Sequence, residues 1–377
     1  MTQTKIGIIG GGIAGVSAAY YLAQKLGGEH VVLVEAESQL AQHTTGRSAA
    51  ILIENYGAVP VRALTKVGLS FLRQTPADLA DRPILTQRGS LFVATPDEDD
   101  EVEQLIAEAS QLNVKQHELS TDEAIALCPM LRPGVHSRAL YEPDAADIDV
   151  AVLHQAFVRG FRSAGGTILT STRITDISRT ANGWRLGSTS EPLEVEIVIN
   201  AAGAWGDVVA ASAGIAPIGL TPLRRTVFMA TSPFPNSENW PIVSSAEHGW
   251  YAKPDGHQFL CSPADETPSE PCDAKPEEID IAIAIDRINA ATTMGIRSVT
   301  STWAGLRTFA PDRSLVIGPD PTDPNFFWLV GQGGTGIQTS PGTGQLVRDL
   351  VIDGRPGPAF DSVGLDLPSL LPDRLRT

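Results

Sequence analysis

Ile6-Gly7-Ile8-Ile9-Gly10-Gly11-Gly12-Ile13-Ala14-Gly15 decides the fold of this 377-residue chain. The run from Lys5 to Ile9 is short and apolar, as a buried parallel strand requires. Glycines then recur as Gly10-x-Gly12-x-x-Gly15. Gly10 permits a tight turn, Gly12 lets a pyrophosphate approach the backbone, and Gly15 lets helix and strand pack closely. Val16 to Leu26, rich in Ala, Leu and Tyr, predicts the helix that follows. Its free N–H groups and positive dipole end face the phosphates. A glycine pattern alone also marks an ordinary turn before a core helix. Here a second apolar run, Val31-Val32-Leu33-Val34, ends in Glu35, twenty residues after Gly15. An acid at that distance holds a ribose hydroxyl pair. Strand, glycines, helix, strand and acid in this order predict a dinucleotide site. Glu35 repels a 2′-phosphate, which argues against NADP.

The length suits two domains sharing a core. A content of 42% hydrophobic and 19% charged residues is that of a globular protein. Lys+Arg 28 against Asp+Glu 44 gives a net charge of −16, a poor match for nucleic acid or an anionic membrane. The first strand begins close to Met1, so no signal peptide is expected. No uninterrupted apolar segment is long enough to span a bilayer. Cys128, Cys261 and Cys272 are odd in number and lack metal-ligand spacing. The expectation is a reducing, cytoplasmic location and no metal.

Ala41-Gln42-His43-Thr44-Thr45-Gly46-Arg47-Ser48-Ala49-Ala50 reads as a loop against a ligand that leads into a helix, or as a plain surface loop. Its hydroxyls can donate to phosphate oxygens and Arg47 adds charge. Apolar spacing from Val59 to Gln74 predicts a packing helix. Ile84 to Thr95 reads as a hairpin broken at Gly89. Asp97 to Leu112 reads as a charged helix, and Pro276 to Ala291 as a helix opening with acids. Strand-like runs from Thr167 to Ile199 end in Asn200-Ala201-Ala202-Gly203, where small residues let backbone approach a cofactor or simply make a turn. A second glycine run, Gly331-x-Gly333-x-x-Gly336, follows Phe326–Val330 and opens another helix. The chain soon ends without a further strand and acid, so this helix points at the first ligand and not at a second nucleotide.

Five stretches occur in order: the first glycine motif, Thr45 to Ala50, Asn200 to Trp205, Thr302-Trp303-Ala304-Gly305-Leu306-Arg307, and Gly331 to Ser340. Together they resemble the FAD-dependent D-amino acid oxidase superfamily, which includes glycine and sarcosine oxidases. The resemblance runs nearly end to end, and within the superfamily it is to the D-arginine dehydrogenase branch. It implies an α/β fold in which a Rossmann-like FAD-binding domain (1–80, 143–217, 308–377) interleaves with an α+β substrate domain. The latter (81–142, 218–307) contains an antiparallel sheet. The implied cofactor contacts are Gly10, Gly12, Ile13, Ala14, Gly15, Glu35, Thr45, Gly46, Arg47, Ser48, Ala49, Ile174, Ala202, Gly203, Trp205, Gly331, Gly333, Gly334, Gly336 and Ile337. Sarcosine-type relatives attach flavin through a cysteine soon after the carboxylate-binding segment. Thr308-Phe309-Ala310-Pro311-Asp312 has none, so FAD is expected to be non-covalent.

Oxidising an amino acid at its α-carbon moves a hydride to the flavin, which does the difficult chemistry. The protein must hold the carboxylate, keep the amine neutral and aim the Cα–H. A buried carboxylate needs a partner, and the planar fork of arginine matches its two oxygens. The resemblance assigns that role to Arg307, with Arg225 as a second contact. It also places Tyr251 and Tyr56 against the substrate, although either tyrosine suits simple packing. Gly305 and Gly334 flank the site. In the D-arginine branch a pocket glutamate meets the cationic side chain; the matching residue here is Ser90. A histidine and a threonine of that pocket read Ile51 and Ile53. A guanidinium would lose its partner, at a cost of several kcal/mol, so a neutral, apolar side chain is expected.

The expected reaction is oxidation of such a D-amino acid to the imino acid, then 2-oxo acid and ammonia. The rival is a glycine- or sarcosine-type substrate, and a third reading is a flavoprotein subunit needing a partner. The expected partners are a small amino acid and an acceptor that is oxygen, a quinone or an electron carrier.

Overall fold

The computed structural model describes residues 5–111 and 114–376. Ile6–Ile9 is a strand buried at every position. It pairs in parallel with Val31–Val34 on one side and Ile197–Asn200 on the other. Thr167–Leu169 and Asp323–Val330 extend the sheet in parallel, and Val316–Asp320 closes one edge antiparallel. Apolar residues fill both faces because both are covered. Ile8, Leu33 and Ile199 face the helices Ile13–Leu26, Val59–Arg73, Val150–Ser163 and Gly336–Asp353, whose Leu22, Leu64, Phe157 and Leu346 complete one core. The alternate residues Val32 and Val198 face a small antiparallel sheet of Ile174–Thr180, Gly183–Ser188 and Leu193–Val195. Trp184 and Leu186 of that sheet pack against Phe326 and Trp328.

A nine-stranded sheet is organised on Thr221–Thr231. That strand pairs along one edge with Ser301–Phe309 and along the other with Gln258–Ser262 and Thr267–Pro268. Tyr251–Asp255, Ile242–Ser245, Ser90–Ala94, Arg138–Glu142 and His117–Leu119 follow in spatial order. The strands are antiparallel except where Ile242–Ser245 meets Ser90–Ala94. Period-two alternation divides its faces. Phe228, Ala252, Phe259 and Val243 pack beneath Ala284 and Ile288 of the helix Glu278–Ala291. Val227, Met229, Ile242, Tyr251 and Leu260 form the opposite face, which also carries Arg225.

Helix ends follow their caps. Ser120 and Glu123 form a reciprocal capping box at Thr121–Leu127, and Asp149 accepts the Val152 N–H at 2.9 Å. The acidic segment forms the helix Asp99–Gln111; Leu112, the end expected from sequence, lies outside the described residues. Among the described residues no helix is long and apolar enough to cross a membrane.

Two local expectations are corrected. Ile84 to Thr95 is not a hairpin. Leu85–Gln87 pairs with Ala146–Ile148 in a small sheet that also holds Ile51–Leu52, whereas Ser90–Ala94 belongs to the nine-stranded sheet. Gly89, at φ +82°, is where the chain changes sheets, passing under the Tyr141 ring. The second correction concerns residues 41–50, which do not enter a helix. They form a 3₁₀ turn, Thr44–Arg47, and continue into the strand Ile51–Leu52. The Ser48 hydroxyl accepts the Ala50 N–H, and Ala50 takes φ +53°, which together prevent a helical continuation.

Gly89→Ala tests the first correction. A Cβ there would lie 2.7 Å from the Tyr141 ring, at a φ that L-residues avoid. The expected loss is about 1–3 kcal/mol, read from the urea midpoint; an unchanged midpoint refutes the crossing geometry.

Candidate active site

Both glycine turns open onto one cleft of about 1670 Å³, part of it open to solvent. Gly10 sits at φ +113° against the Ala201 carbonyl, and a side chain on Gly15 would run into the Gly10 carbonyl. Gly15 therefore builds the turn without lining the cleft. Gly46, packed on the Ala41 carbonyl, does the same for the turn Thr44–Arg47. Gly12, Ile13 and Ala14 line the cleft where the helix Ile13–Leu26 begins, with no side-chain cap of its own. Thr45 supplies the hydroxyl: its Oγ1 accepts the Ile13 N–H at 3.0 Å.

Glu35 stands at one end of the cleft. Its Oε2 accepts the Gly11 N–H at 2.7 Å and its Oε1 accepts the Glu37 N–H at 2.9 Å. Each oxygen keeps a lone pair for a ribose hydroxyl. Ile174, Ala202, Gly203 and Trp205 form the walls. The Asn200 side chain bonds the Gly206 carbonyl at 2.8 Å, which fixes this turn. Gly331, Gly333, Gly334, Gly336 and Ile337 bring the second helix, Gly336–Asp353, to the cleft with no side-chain cap. Two helix N-termini, a bare glycine backbone and a carboxylate on one elongated cleft fit a dinucleotide such as FAD. Among the described residues no group of acids, histidines and cysteines could hold a metal.

Arg47 departs from its expected role. Its stem lines the cleft, but its guanidinium pairs with Asp273 and donates to the Ala274 and Ala304 carbonyls at 3.0 and 2.9 Å. Neighbouring bonds run the same way. Thr44 donates to the Leu306 carbonyl at 2.7 Å, and the Trp303 indole donates to the Arg47 carbonyl at 3.1 Å. Ser48 and Ala49 line the cleft, and the Ala49 carbonyl accepts from Lys253 at 3.0 Å.

At the other end Arg225, Tyr251, Gly305 and Arg307 share the cleft. Register places Arg225 beside Gly305 and Arg307 two residues on. Arg225 is 8% exposed. Its Nε donates to the Asp265 carbonyl at 2.8 Å and its Nη2 to Glu266 Oε1 at 3.2 Å. Burial and the Arg307 charge push its pKa down. Burial works against the Arg307 charge as well, but Tyr56 and Tyr251, the former by a hydrogen bond, hold its pKa above the usual value. A side chain on Gly334 would lie 2.7 Å from the Arg307 guanidinium carbon, so adding one would displace that guanidinium. The buried Tyr251 hydroxyl has no hydrogen-bond partner. Two guanidiniums and a phenol without a partner make a site for a small anion.

Ile51, Ile53, Ser90 and Tyr56 do not line this cleft. Ile51 packs with Tyr251 and Val227, and Ile53 with Phe92 and Leu140. Ser90 is fully buried and its hydroxyl lacks a partner. Directly across the strand pair lies Glu142, also fully buried. Burial pushes its carboxyl up to about 7. Sequence reading missed Glu142, because an acid between a strand and Pro143-Asp144 looks like any surface acid. It also missed His43, whose ring lies 4.8 Å from Trp205 on the cleft wall, and the Asp265–Glu266 clamp on Arg225.

Comparison with known proteins follows the same lines. Residues 5–350 match the model of the DAO family, described as FAD dependent oxidoreductase. FAD-dependent oxidoreductase domain-containing protein 1 of Bos taurus is 24% identical over 93% of this chain and 82% of its own length. Dimethylglycine dehydrogenase of Mus musculus is 24% identical over 95% of this chain, which spans only 43% of that protein. Among solved structures, L-proline dehydrogenase from P. horikoshii superposes with a TM-score of 0.86 at 21% identity, covering 99% of this chain and 98% of its own. Glycine oxidase from Geobacillus kaustophilus gives 0.83 at 22%, covering 97% and 99%. With its glycine turns, its acid and its matched residues, the chain belongs to the DAO family of FAD-dependent oxidoreductases.

Proposed function

We propose that the chain oxidises a neutral D-amino acid with an apolar side chain to its imino acid, which water converts to the 2-oxo acid and ammonia. One observation carries this reading: Arg225, Arg307 and the unpartnered Tyr251 hydroxyl converge on the end of the FAD cleft. FAD, when bound, supplies the acceptor for the hydride that leaves Cα. The chain does the rest. Arg307 and Arg225 bind the substrate carboxylate, offsetting the cost of its burial. Tyr251 donates a hydrogen bond that fixes the carboxylate plane, and Tyr56, off the cleft lining, holds Arg307. The apolar cluster of Val227, Met229, Ile242 and Leu260 excludes water beside them.

A second reading is a glycine-type or N-methylated substrate. Ile53 and Ser90, which would border a long side chain, are buried away from the cleft. Glycine oxidase and dimethylglycine dehydrogenase among the relatives favour the same alternative.

Anaerobic mixing of the yellow holoenzyme with amino acids separates the two. Bleaching by neutral D-amino acids, but not by L-forms or D-Arg, is expected. Bleaching by glycine or sarcosine alone moves the protein to the second reading. Arg307→Lys is expected to raise KM by about 30-fold or more, since one buried charge loses its bidentate partner. An unchanged KM excludes the carboxylate role. Ser90→Glu is expected to give no gain in kcat/KM for D-Arg, because Ser90 is buried off the cleft and faces the buried Glu142; a gain of about tenfold would restore Ser90 as a pocket residue.

A further inference from the structure

Glu142 is a buried acid to which neither the cofactor cleft nor the anion site gives a use. Its Oε1 accepts the Glu54 N–H at 2.7 Å, and the Asn55 backbone N–H also bonds this carboxyl. Two successive peptide groups thus share one carboxylate. The next residue is Tyr56, whose hydroxyl accepts from Arg307. We infer that Glu142 is a positioning residue for the carboxylate site, pinning the backbone at residues 54 and 55 so that Tyr56 stays on Arg307. The inference rests on the reading of Arg307 as the carboxylate ligand.

The rest of the segment is anchored to match. Gln338 grips Ile53 from both sides, accepting its N–H at 3.2 Å and donating to its carbonyl at 3.3 Å. The Asn55 side chain donates to the Leu105 carbonyl at 3.1 Å. The Glu54 side chain faces outward to Arg73 at 2.7 Å. Gly57, at φ +94°, then turns the chain into the helix Val59–Arg73. Of these anchors, Glu142 acts on the two peptides immediately before Tyr56. Above its raised pKa of about 7 the group is a carboxylate, which takes both N–H groups with no donor of its own to satisfy, while its Oε2 has no partner. Burial of its charged form is costly and is offset in part by these two N–H groups. What the acid fixes is Tyr56, the neighbour of Arg307.

The test is a double-mutant cycle on the holoenzyme, with benzoate as the carboxylate probe and the flavin absorbance as readout. Glu142→Ala is expected to weaken benzoate about tenfold, as loss of charge-assisted bonds does. In a Tyr56→Phe background the same change is expected to cost less than about twofold, because the group it positions is gone. Glu142→Gln keeps the carbonyl acceptor and the volume, and gives a second cycle should the alanine variant fail to fold. Its expected loss is about threefold, again absent with Tyr56→Phe. Losses that add in both backgrounds overturn the positioning role, since a purely structural acid would not depend on the Tyr56 hydroxyl. Arg307→Lys is measured alongside. If it leaves benzoate binding intact, the carboxylate site itself falls and the inference with it. If it abolishes binding while the cycle is additive, the inference alone falls.

Discussion

An anion can be held against a flavin only if two separately built surfaces keep a fixed separation. One is the parallel sheet with its glycine turns; the other is the nine-stranded sheet with Arg225 and Arg307. The turn Thr44–Arg47 makes that joint. Thr45 caps the first helix, while Thr44 and Arg47 on either side bond backbone carbonyls of Ser301–Phe309. One short turn therefore touches the phosphate end and the strand that carries Arg307. A catalytic misplacement of about 1 Å is expensive, so this joint is worth the half-buried guanidinium that it takes. Arg47 does more for the site by holding the strand than it would as one more charge beside a phosphate.

The parts of the fold legible in sequence were those in which local chemistry dictates geometry. Ile6–Ile9 with Gly10, Gly12 and Gly15 needs no distant partner to be read, because strand, turn and helix are contiguous. The same holds for Phe326–Val330 with its glycines. Gly89 misled because a glycine between two apolar runs has the same appearance whether the chain folds back or changes sheets. The choice is made by Ala146–Ile148 and Arg138–Glu142, more than forty residues away. The partner of the Arg47 guanidinium was hidden for the same reason, since Asp273 lies in a distant loop. Glu142 was illegible because its burial is set by partners far along the chain, Ser90 across the strand pair and the backbone of Glu54. Arg307 and Tyr251 were legible only through resemblance; nothing in their spacing distinguishes them from surface or packing residues.

The charge arrangement at the substrate end has its own logic. Two arginines that share a site repel each other, and burial raises the cost of both charges. The chain does not neutralise them with a fully buried acid. It gives Arg225 a backbone carbonyl and the half-exposed Glu266, which also holds Arg313 at 2.9 Å. It gives Arg307 phenols, which polarise toward the cation without cancelling it. The outer side of Arg225 is thus tied down, and net positive charge is kept where the substrate carboxylate would enter. A full salt bridge to both arginines would stabilise the empty protein and leave nothing for a substrate to gain by binding. In the proposed reading the unpartnered Tyr251 hydroxyl follows the same rule, with its hydrogen bond left for the ligand. Keeping such groups unsatisfied demands a rigid surround, which Glu142 and Gln338 provide from behind the Tyr56 segment.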